Sequence, residues 1–444
     1  MDDSSKRLNT KFCAAAVTIG CRLNQTDTAL IFAELKKAGF VIEEPDSNKE
    51  LSLIIINTCA VTSSASQKSR QYTRALKEKH PNAKIIVTGC DAEVDKEKWI
   101  AEASIDVIIP NRDKINILKY IGNLFPALQK EKTGNYSENF SFSSTSYFPF
   151  KSRANIKIQD GCDAYCTYCI VPYGRGKPRS REWNNTLKEF KELLQKGYKE
   201  IILTGVNIIT YNSNGRTLVD LCNKMCSFDG EYRIRLSSIE PQFNMHGLIE
   251  LIASNSKLCR FLHLPLQHGA DNILQKMGRN YKRETFADFV NCAVKKVPGI
   301  CIGTDIITGF PGETEDDFND SLIFVSSLPI SYVHVFKYSK RKGTPAANYQ
   351  DQINPKISEK RHKILSELGR TLSKRFMESQ KGKTASVIFE TNKNGIFSGW
   401  TDNYIKANVT VKKADTNYKN LSGNIVKVKL LSPLKYREMS ADLV

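Results

Sequence analysis

The sequence has no apolar run near the roughly 18 residues a membrane-spanning helix needs. Its start, MDDSSKRLNTKFCAAAV, has no basic segment leading into an apolar stretch. These two absences exclude a membrane partner and lead us to expect a cytoplasmic protein. The reducing cytosol disfavours disulfides, so the 12 cysteines read as metal ligands and buried thiols. No repeated apolar heptad is present either, and a monomer is expected. Acidic residues are in deficit: 47 Asp and Glu stand against 65 Lys and Arg, for a formal net charge of +18. A net ten of these charges fall between Pro355 and Val444, where 18 Lys and Arg meet 8 Asp and Glu. Such a bias points to a polyanionic partner docking near the C-terminus, although solvated helix faces carry similar charge.

At 444 residues, 41% hydrophobic and 25% charged, the chain is globular and long enough for two or three domains. Residues 10–125 alternate short β-branched runs with helical stretches, as in FCAAAVTI, TALIFAELKKAG, LSLIIIN, SQKSRQYTRALKEKH and AKIIVTG. That alternation predicts a parallel sheet in an α/β domain. Cys21, Cys59 and Cys90 each follow one of the strands. The carboxyl ends of parallel strands share one edge of a sheet, where such folds bind ligands, so three distant cysteines become neighbours. Cys13, Cys222, Cys226, Cys259, Cys292 and Cys301 follow helix or strand periodicity and read as core. Residues 126–150 are rich in Ser, Asn and aromatics and read as a linker.

Between residues 151 and 380, six strand candidates recur at βα spacing: NIKIQD, EIILTG, YRIRLSS, FLHLPLQ, CIGTDIIT and YVHVFKY. They predict an incomplete parallel (βα)6 barrel whose active face lies at the carboxyl ends of its strands. A long basic helix is expected from Asn354 to about Gln380. Over residues 381–444, the segments TASVIFE, YIKANVTV and NIVKVKLL predict a small antiparallel β-barrel. Such a barrel suits either a nucleic-acid grip or plain packing.

The run GCDAYCTYCIVPYGRG supplies Cys162, Cys166 and Cys169 at C-x3-C-x2-C spacing. Three thiolates so spaced hold three corners of a four-iron cluster and leave the fourth iron open for chemistry. Zinc sites draw four ligands, usually as separated C-x2-C pairs, and no fourth Cys or His is near. Tyr168 can flank an adenine beside the cluster. Gly205, Asn207, Glu240, Gln267 and Asp305, at the ends of other barrel strands, are candidate cofactor contacts. His268 reads as a hydrogen-bonding loop histidine. Arg175, Lys177, Arg179 and Arg181 follow the cluster run and could reach phosphates.

In this run the chain resembles the radical S-adenosylmethionine (SAM) enzymes. The strand-end cysteines and the phrases LPLQHGADNILQKMGRNY, DIITGFPGETEDDF and FKYSKRKGTPAA extend the likeness to the methylthiotransferases over nearly the whole chain. The resemblance implies an N-terminal methylthiotransferase domain, a radical SAM core and a C-terminal RNA-binding barrel of the TRAM type. It also implies SAM and two [4Fe-4S] clusters. Cys162, Cys166 and Cys169 would hold the SAM cluster, and Cys21, Cys59 and Cys90 the auxiliary one. In that family one SAM methylates a sulfur on the auxiliary cluster, and a second supplies the 5'-deoxyadenosyl radical. The segment NTCAVTSSASQKSRQ looks most like the branch acting at C2 of N6-threonylcarbamoyladenosine, position 37 of tRNA. Branches acting on isopentenyladenosine 37 or on a ribosomal-protein aspartate are the alternatives, with a non-enzymatic iron-sulfur RNA-binding protein as a reading of another class. Implied partners are tRNA and a one-electron donor such as flavodoxin or ferredoxin. The sulfur source has no signature in the chain.

Overall fold

The computed structural model describes residues 12–126, 148, 152–241, 246–411 and 421–444. Apart from Pro126 and Phe148, the linker expected over 126–150 lies outside them. The chain forms two compact units, one of Met1–Tyr147 with Ile170–Gly176 and one of Phe148–Cys169 with Lys177–Val444. Among the described residues no helix is long and apolar enough to cross a membrane.

The first unit runs β1 (Cys13–Thr18), α1 (Arg22–Lys37), β2 (Val41–Ile42), β3 (Leu53–Thr58), α2 (Ser63–Lys79), β4 (Lys84–Gly89), α3 (Cys90–Val94), α4 (Lys96–Ile100), β5 (Val107–Ile108) and α5 (Ile117–Ile121). A later helix, α6 (Val171–Arg175), packs with it. The five strands pair in parallel in the order β2-β1-β3-β4-β5. Central β3 is apolar over Leu53–Ile56 and buried throughout because helices cover both faces of the sheet. Leu53 and Ile55 pack with Ala14, Ile31 and Leu35, while Ile54 and Ile56 pack with Leu76, Ile85 and Trp99. Each such fully buried side chain stabilises the unit by about 1.5–3 kcal/mol relative to its exposure. The adjacency β1-β3-β4 is what sets Cys21, Cys59 and Cys90 side by side, because each follows the carboxyl end of one of these strands.

The second unit begins β6 (Ala154–Lys157), β7 (Gln159–Asp160), β8 (Arg179–Ser180), α7 (Trp183–Gln195), β9 (Glu200–Thr204), β10 (Asn212–Ser213), β11 (Arg216–Thr217), α8 (Leu218–Cys226), β12 (Arg233–Leu236) and α9 (His246–Ser254). It continues β13 (Phe261–His263), α10 (Asp271–Lys276), α11 (Arg283–Lys296), β14 (Cys301–Thr308), α12 (Glu315–Ser327), β15 (Tyr332–Lys337) and α13 (Pro355–Gln380). Parallel ribbons β12-β9-β6 and β13-β14-β15 are joined by the single bridges Ile234 to Leu258 and Ser238 to His263. Six parallel strands with helices between them make the partial (βα)6 barrel.

The C-terminal barrel comprises β16 (Thr384–Lys393), β17 (Ile396–Thr401), β18 (Lys406–Thr410), β19 (Ile425–Lys435) and β20 (Glu438–Leu443). It closes in the order β16-β17-β18-β20-β19. The sequence pattern predicts three of these strands and misses β17 and β20. Gly399 breaks the β17 pattern, yet a Cβ there would lie 2.1 Å from the Ile388 carbonyl oxygen, so the close pairing requires glycine. Asn394 and Gly395, between β16 and β17, both adopt left-handed φ, 53° and 82°, as a two-residue hairpin turn requires. One pairing departs from the antiparallel expectation, since β18 meets β20 in parallel.

Buried charge fixes this barrel to the parallel (βα)6 barrel. Glu200 accepts from Arg233 at 2.6 Å, Arg235 at 2.8 Å and Arg153 at 3.2 Å. Arg233 also donates to the Ser386 and Trp400 carbonyls at 2.7 Å, and Arg235 to that of Thr401 at 2.8 Å.

Candidate functional site

In the first unit, Cys21 precedes α1, Cys59 follows β3 and Cys90 opens α3. Gly20 has φ +99°, and a Cβ there would sit 2.6 Å from Cys59 Sγ, so the loop approaches that thiol as only glycine can. Burial pushes the Cys59 thiol up to about 12. The Val61 N–H opposes the shift, Cys21 and Cys90 reinforce it, and Arg175 opposes it. Cys21, Cys90 and Arg175 thus all lie near enough to Cys59 to bear on its charge. Asn111 Nδ2 approaches Cys90 Sγ at 3.9 Å and donates to the Gly174 carbonyl at 2.6 Å.

Arg175 corrects an expectation. Proposed from sequence to reach phosphate, it is buried, donating to Asn24 Oδ1 and, at 3.2 Å, to Asp27 Oδ2. Lys114 pairs with the same Asp27 and donates to Asn111 Oδ1 at 2.7 Å. Asn24 Nδ2 in turn ties the Ile19 and Thr58 carbonyls, at 2.8 and 2.9 Å, which fixes the ends of β1 and β3 together.

In the second unit, Cys162, Cys166 and Cys169 lie on the loop after β7. The Ala164 N–H donates to Cys162 Sγ at 3.5 Å, and Arg279 Nη1 donates to Cys166 Sγ at 3.2 Å. Such N–H···S bonds stabilise thiolates and metal-bound sulfur. The other arm of Arg279 pairs with Glu240. Beside Cys166 opens a cleft of 410 Å³ lined by Asn207, Glu240, Gly278, Arg279 and Tyr281 among others. Asn207 Oδ1 is buried with no hydrogen-bond partner among the described residues, an acceptor in want of a donor. Gln159 positions this wall: its Oε1 accepts from the Val206 and Asn207 N–H groups at 2.9 Å, and its Nε2 donates to the Gly161 carbonyl at 2.8 Å. Gly205 must be glycine, since a Cβ would stand 2.9 Å from Gln159.

Neither cysteine set brings all three sulfurs within 4.8 Å of one another among the described residues. A single zinc, with Zn–S bonds of about 2.3 Å, would hold its sulfurs about 3.8 Å apart. A polynuclear cluster is wider, and three thiols with N–H donors to sulfur fit one.

The remaining expected residues are distributed as follows. Tyr168 packs partly buried against the apolar cluster of Ala270, Ile273, Met277 and Phe310 and does not line the cleft. Gln267 takes left-handed φ, 72°, where its backbone pairs with Asp305 and Ile307. Asp305 faces His263 and His334. His268 is buried, accepting from the Ala270 N–H and facing Glu313, as a structural histidine does. Arg181 is buried against Glu189 and Asn185, which removes it from the phosphate-binding candidates. Lys177 is exposed and Arg179 half-exposed. Sequence reasoning missed Arg279, Tyr281, Gln159 and Asn111. The first two lie in the phrase MGRNY, whose charged and aromatic pair was the available signal.

Residues 156–325 match the Radical SAM superfamily and residues 14–110 the Uncharacterized protein family UPF0004. The chain is 34% identical over 428 residues to the threonylcarbamoyladenosine tRNA methylthiotransferase MtaB of Bacillus subtilis, covering 93% of this chain and 92% of that relative. It is 36% identical over 395 residues to a tRNA-2-methylthio-N(6)-dimethylallyladenosine synthase of Clostridium botulinum, covering 85% and 86%. Among solved structures, the radical S-adenosylmethionine methyltransferase TsrM of Kitasatospora setae, with cobalamin and a [4Fe-4S] cluster, aligns with TM-score 0.56 at 13% identity. That alignment covers 76% of this chain and 77% of TsrM, a likeness of fold.

Proposed function

The chain belongs to the radical SAM tRNA methylthiotransferases, and from that membership we propose that it methylthiolates C2 of N6-threonylcarbamoyladenosine at position 37 of tRNA. The observation that carries the reading is the presence of both the Cys166 cleft and a second three-cysteine set in one chain whose relatives of that name match nearly end to end.

We assign Cys162, Cys166 and Cys169 to the SAM cluster and Cys21, Cys59 and Cys90 to an auxiliary cluster. When bound, these groups and SAM supply an open iron for one-electron cleavage of the sulfonium and a sulfur for transfer. The chain's own residues bind and orient. Asn207 Oδ1 offers the cleft an acceptor, Glu240 a carboxylate, and Arg279 anchors that carboxylate while donating to Cys166. Tyr281, its hydroxyl donating to the Pro265 and Leu266 carbonyls at 2.9 Å, is held as part of the cleft wall. In the first unit Arg175 offsets negative charge on Cys59.

The domain division proposed is 10–125, 151–380 and 381–444, with a linker at 126–150. Lys177, Arg179 and the basic C-terminal segment are proposed to meet tRNA phosphates. A flavodoxin or ferredoxin as electron donor, a monomeric chain and a cytoplasmic location complete the proposal.

The dimethylallyladenosine branch is a second reading, favoured by the 36% identity to the Clostridium botulinum synthase. Reconstituted, reduced protein given SAM and tRNA bearing either modified adenosine, with nucleosides read by mass spectrometry, separates the two. Methylthio gain on the threonylcarbamoyl substrate is expected. Gain on the dimethylallyl substrate alone moves the assignment, and no gain on either with SAM intact refutes the enzyme reading.

A further inference from the structure

We propose that His263, Asp305 and His334 form a binding site for one divalent first-row transition metal ion, separate from both cysteine sets. The three residues stand on neighbouring strands β13, β14 and β15. His263 pairs with Gly303, and Asp305 with His334, so all three side chains leave one face of the sheet. None of them lines the cleft beside Cys166.

Their donor atoms converge. Among the described residues this is the group of three whose ligand atoms all lie within 4.8 Å of one another. Asp305 Oδ1 stands 3.0 Å from His263 Nε2 and 3.4 Å from His334 Nδ1. Donors bonded to one ion at about 2.0–2.1 Å, with angles near 90–110°, stand about 2.9–3.4 Å apart. At these distances each ring nitrogen can either donate to the carboxylate or share an ion with it. Asp305 Oδ1 is buried with no aligned hydrogen-bond partner among the described residues, and metal titration separates the two cases.

The surroundings orient the first ligand. His263 Nδ1 lies 2.9 Å from the Tyr332 hydroxyl oxygen. With Nδ1–H donating there, the Nε2 lone pair is turned to the ion, the arrangement metal-bound histidines adopt. Tyr332 reaches this position only across Gly303, where a Cβ would lie 2.0 Å from its ring. Arg437 holds the ring from the other side, 4.0 Å from its centroid. His263 is buried, Asp305 half-buried and His334 exposed at 44%, which leaves an entry path and open coordination positions toward solvent. Two imidazoles and one carboxylate with open positions suit Zn²⁺, Fe²⁺ or Co²⁺ over Mg²⁺ or Ca²⁺. Asp305, expected from sequence to contact SAM, is reassigned to this ion.

The test uses cluster-loaded protein dialysed anaerobically against micromolar Zn²⁺, with zinc and iron per chain then read by elemental analysis. Wild type is expected to retain one more zinc than His334→Ala or Asp305→Asn, with iron equal in all three. Each of these variants should need at least about tenfold more Zn²⁺ for half-occupancy, and Tyr332→Phe should be weakened in the same direction. Because His334 is exposed, its variant keeps the fold. Equal zinc in wild type and His334→Ala, or no retained zinc in either, overturns the site.

Discussion

Arg279 donates from Nη1 to the sulfur of Cys166 at 3.2 Å. The same guanidinium neutralises Glu240, so one side chain ties the proposed cluster ligand to the wall of the cleft beside it. Lysine keeps the charge but lacks the planar fork that serves both partners. Arg279→Lys should therefore retain iron yet cleave SAM about 10–100-fold more slowly, the cost typical of losing an outer partner of a metal ligand. Quantifying 5'-deoxyadenosine by chromatography at matched iron content checks this.

Gly20 offers a second test, in the other cysteine set. Its φ of +99° and the 2.6 Å from a hypothetical Cβ to Cys59 Sγ leave no room for alanine. Gly20→Ala should carry about 1–3 kcal/mol of backbone strain and displace the Cys59 loop. Iron per chain is expected to fall by about half, one four-iron cluster of two, while SAM cleavage continues. Iron analysis of the purified variant reads the outcome.

Much of this arrangement was legible in sequence, for physical reasons. Parallel strands end on one edge, so a cysteine after each of β1, β3 and β4 needed only the strand pattern to be placed beside the others. The C-x3-C-x2-C run is local and needs no fold at all. Arg175 and Arg181 were misread because arginine is usually exposed. The burial of Arg175 depends on partners elsewhere in the fold, since Asn24 and Asp27 lie about 150 positions before it and no short-range pattern announces them, whereas Arg181 meets Asn185 and Glu189 four and eight residues on, along the following helix. Gln159 was invisible for the opposite reason, since a glutamine at a strand end looks like solvent-facing polarity until its amide is seen holding two loops. The His263, Asp305 and His334 group required strand register, which periodicity does not specify across three separate βα units.

Glu200 should govern the docking of the C-terminal barrel. Burial opposes its ionisation, but Arg235, Arg233 and Arg153 hold the carboxyl well below the usual carboxylate range. Glu200→Gln leaves buried guanidinium groups without their shared anion and should cost about 3–5 kcal/mol. Because the native value lies below the unfolded one, this stabilisation is full above about pH 4.3 and fades as the pH falls through the native value. Urea midpoints at neutral pH and at pH 3 should differ less between variant and wild type in acid than at neutrality.

Lys383, Lys427 and Lys429 are exposed at the paired edges of β16 and β19. If tRNA docks there, replacing all three with Ala should weaken binding whatever the sequence of the RNA. The slope of log affinity against log salt should become shallower by about 2 to 3, near 0.7–0.9 for each phosphate no longer neutralised. Filter binding across a salt series measures it.

The most direct test of two sulfur-ligated clusters in one chain is anaerobic iron and sulfide counting on wild type, Cys59→Ala and Cys162→Ala. About eight iron and eight sulfide are expected per wild-type chain, falling to about four of each in either variant. Cys59→Ala should still cleave SAM but transfer no methylthio group. About four iron in the wild type, with Cys59→Ala unchanged in iron and in methylthio transfer, would contradict the two-cluster assignment.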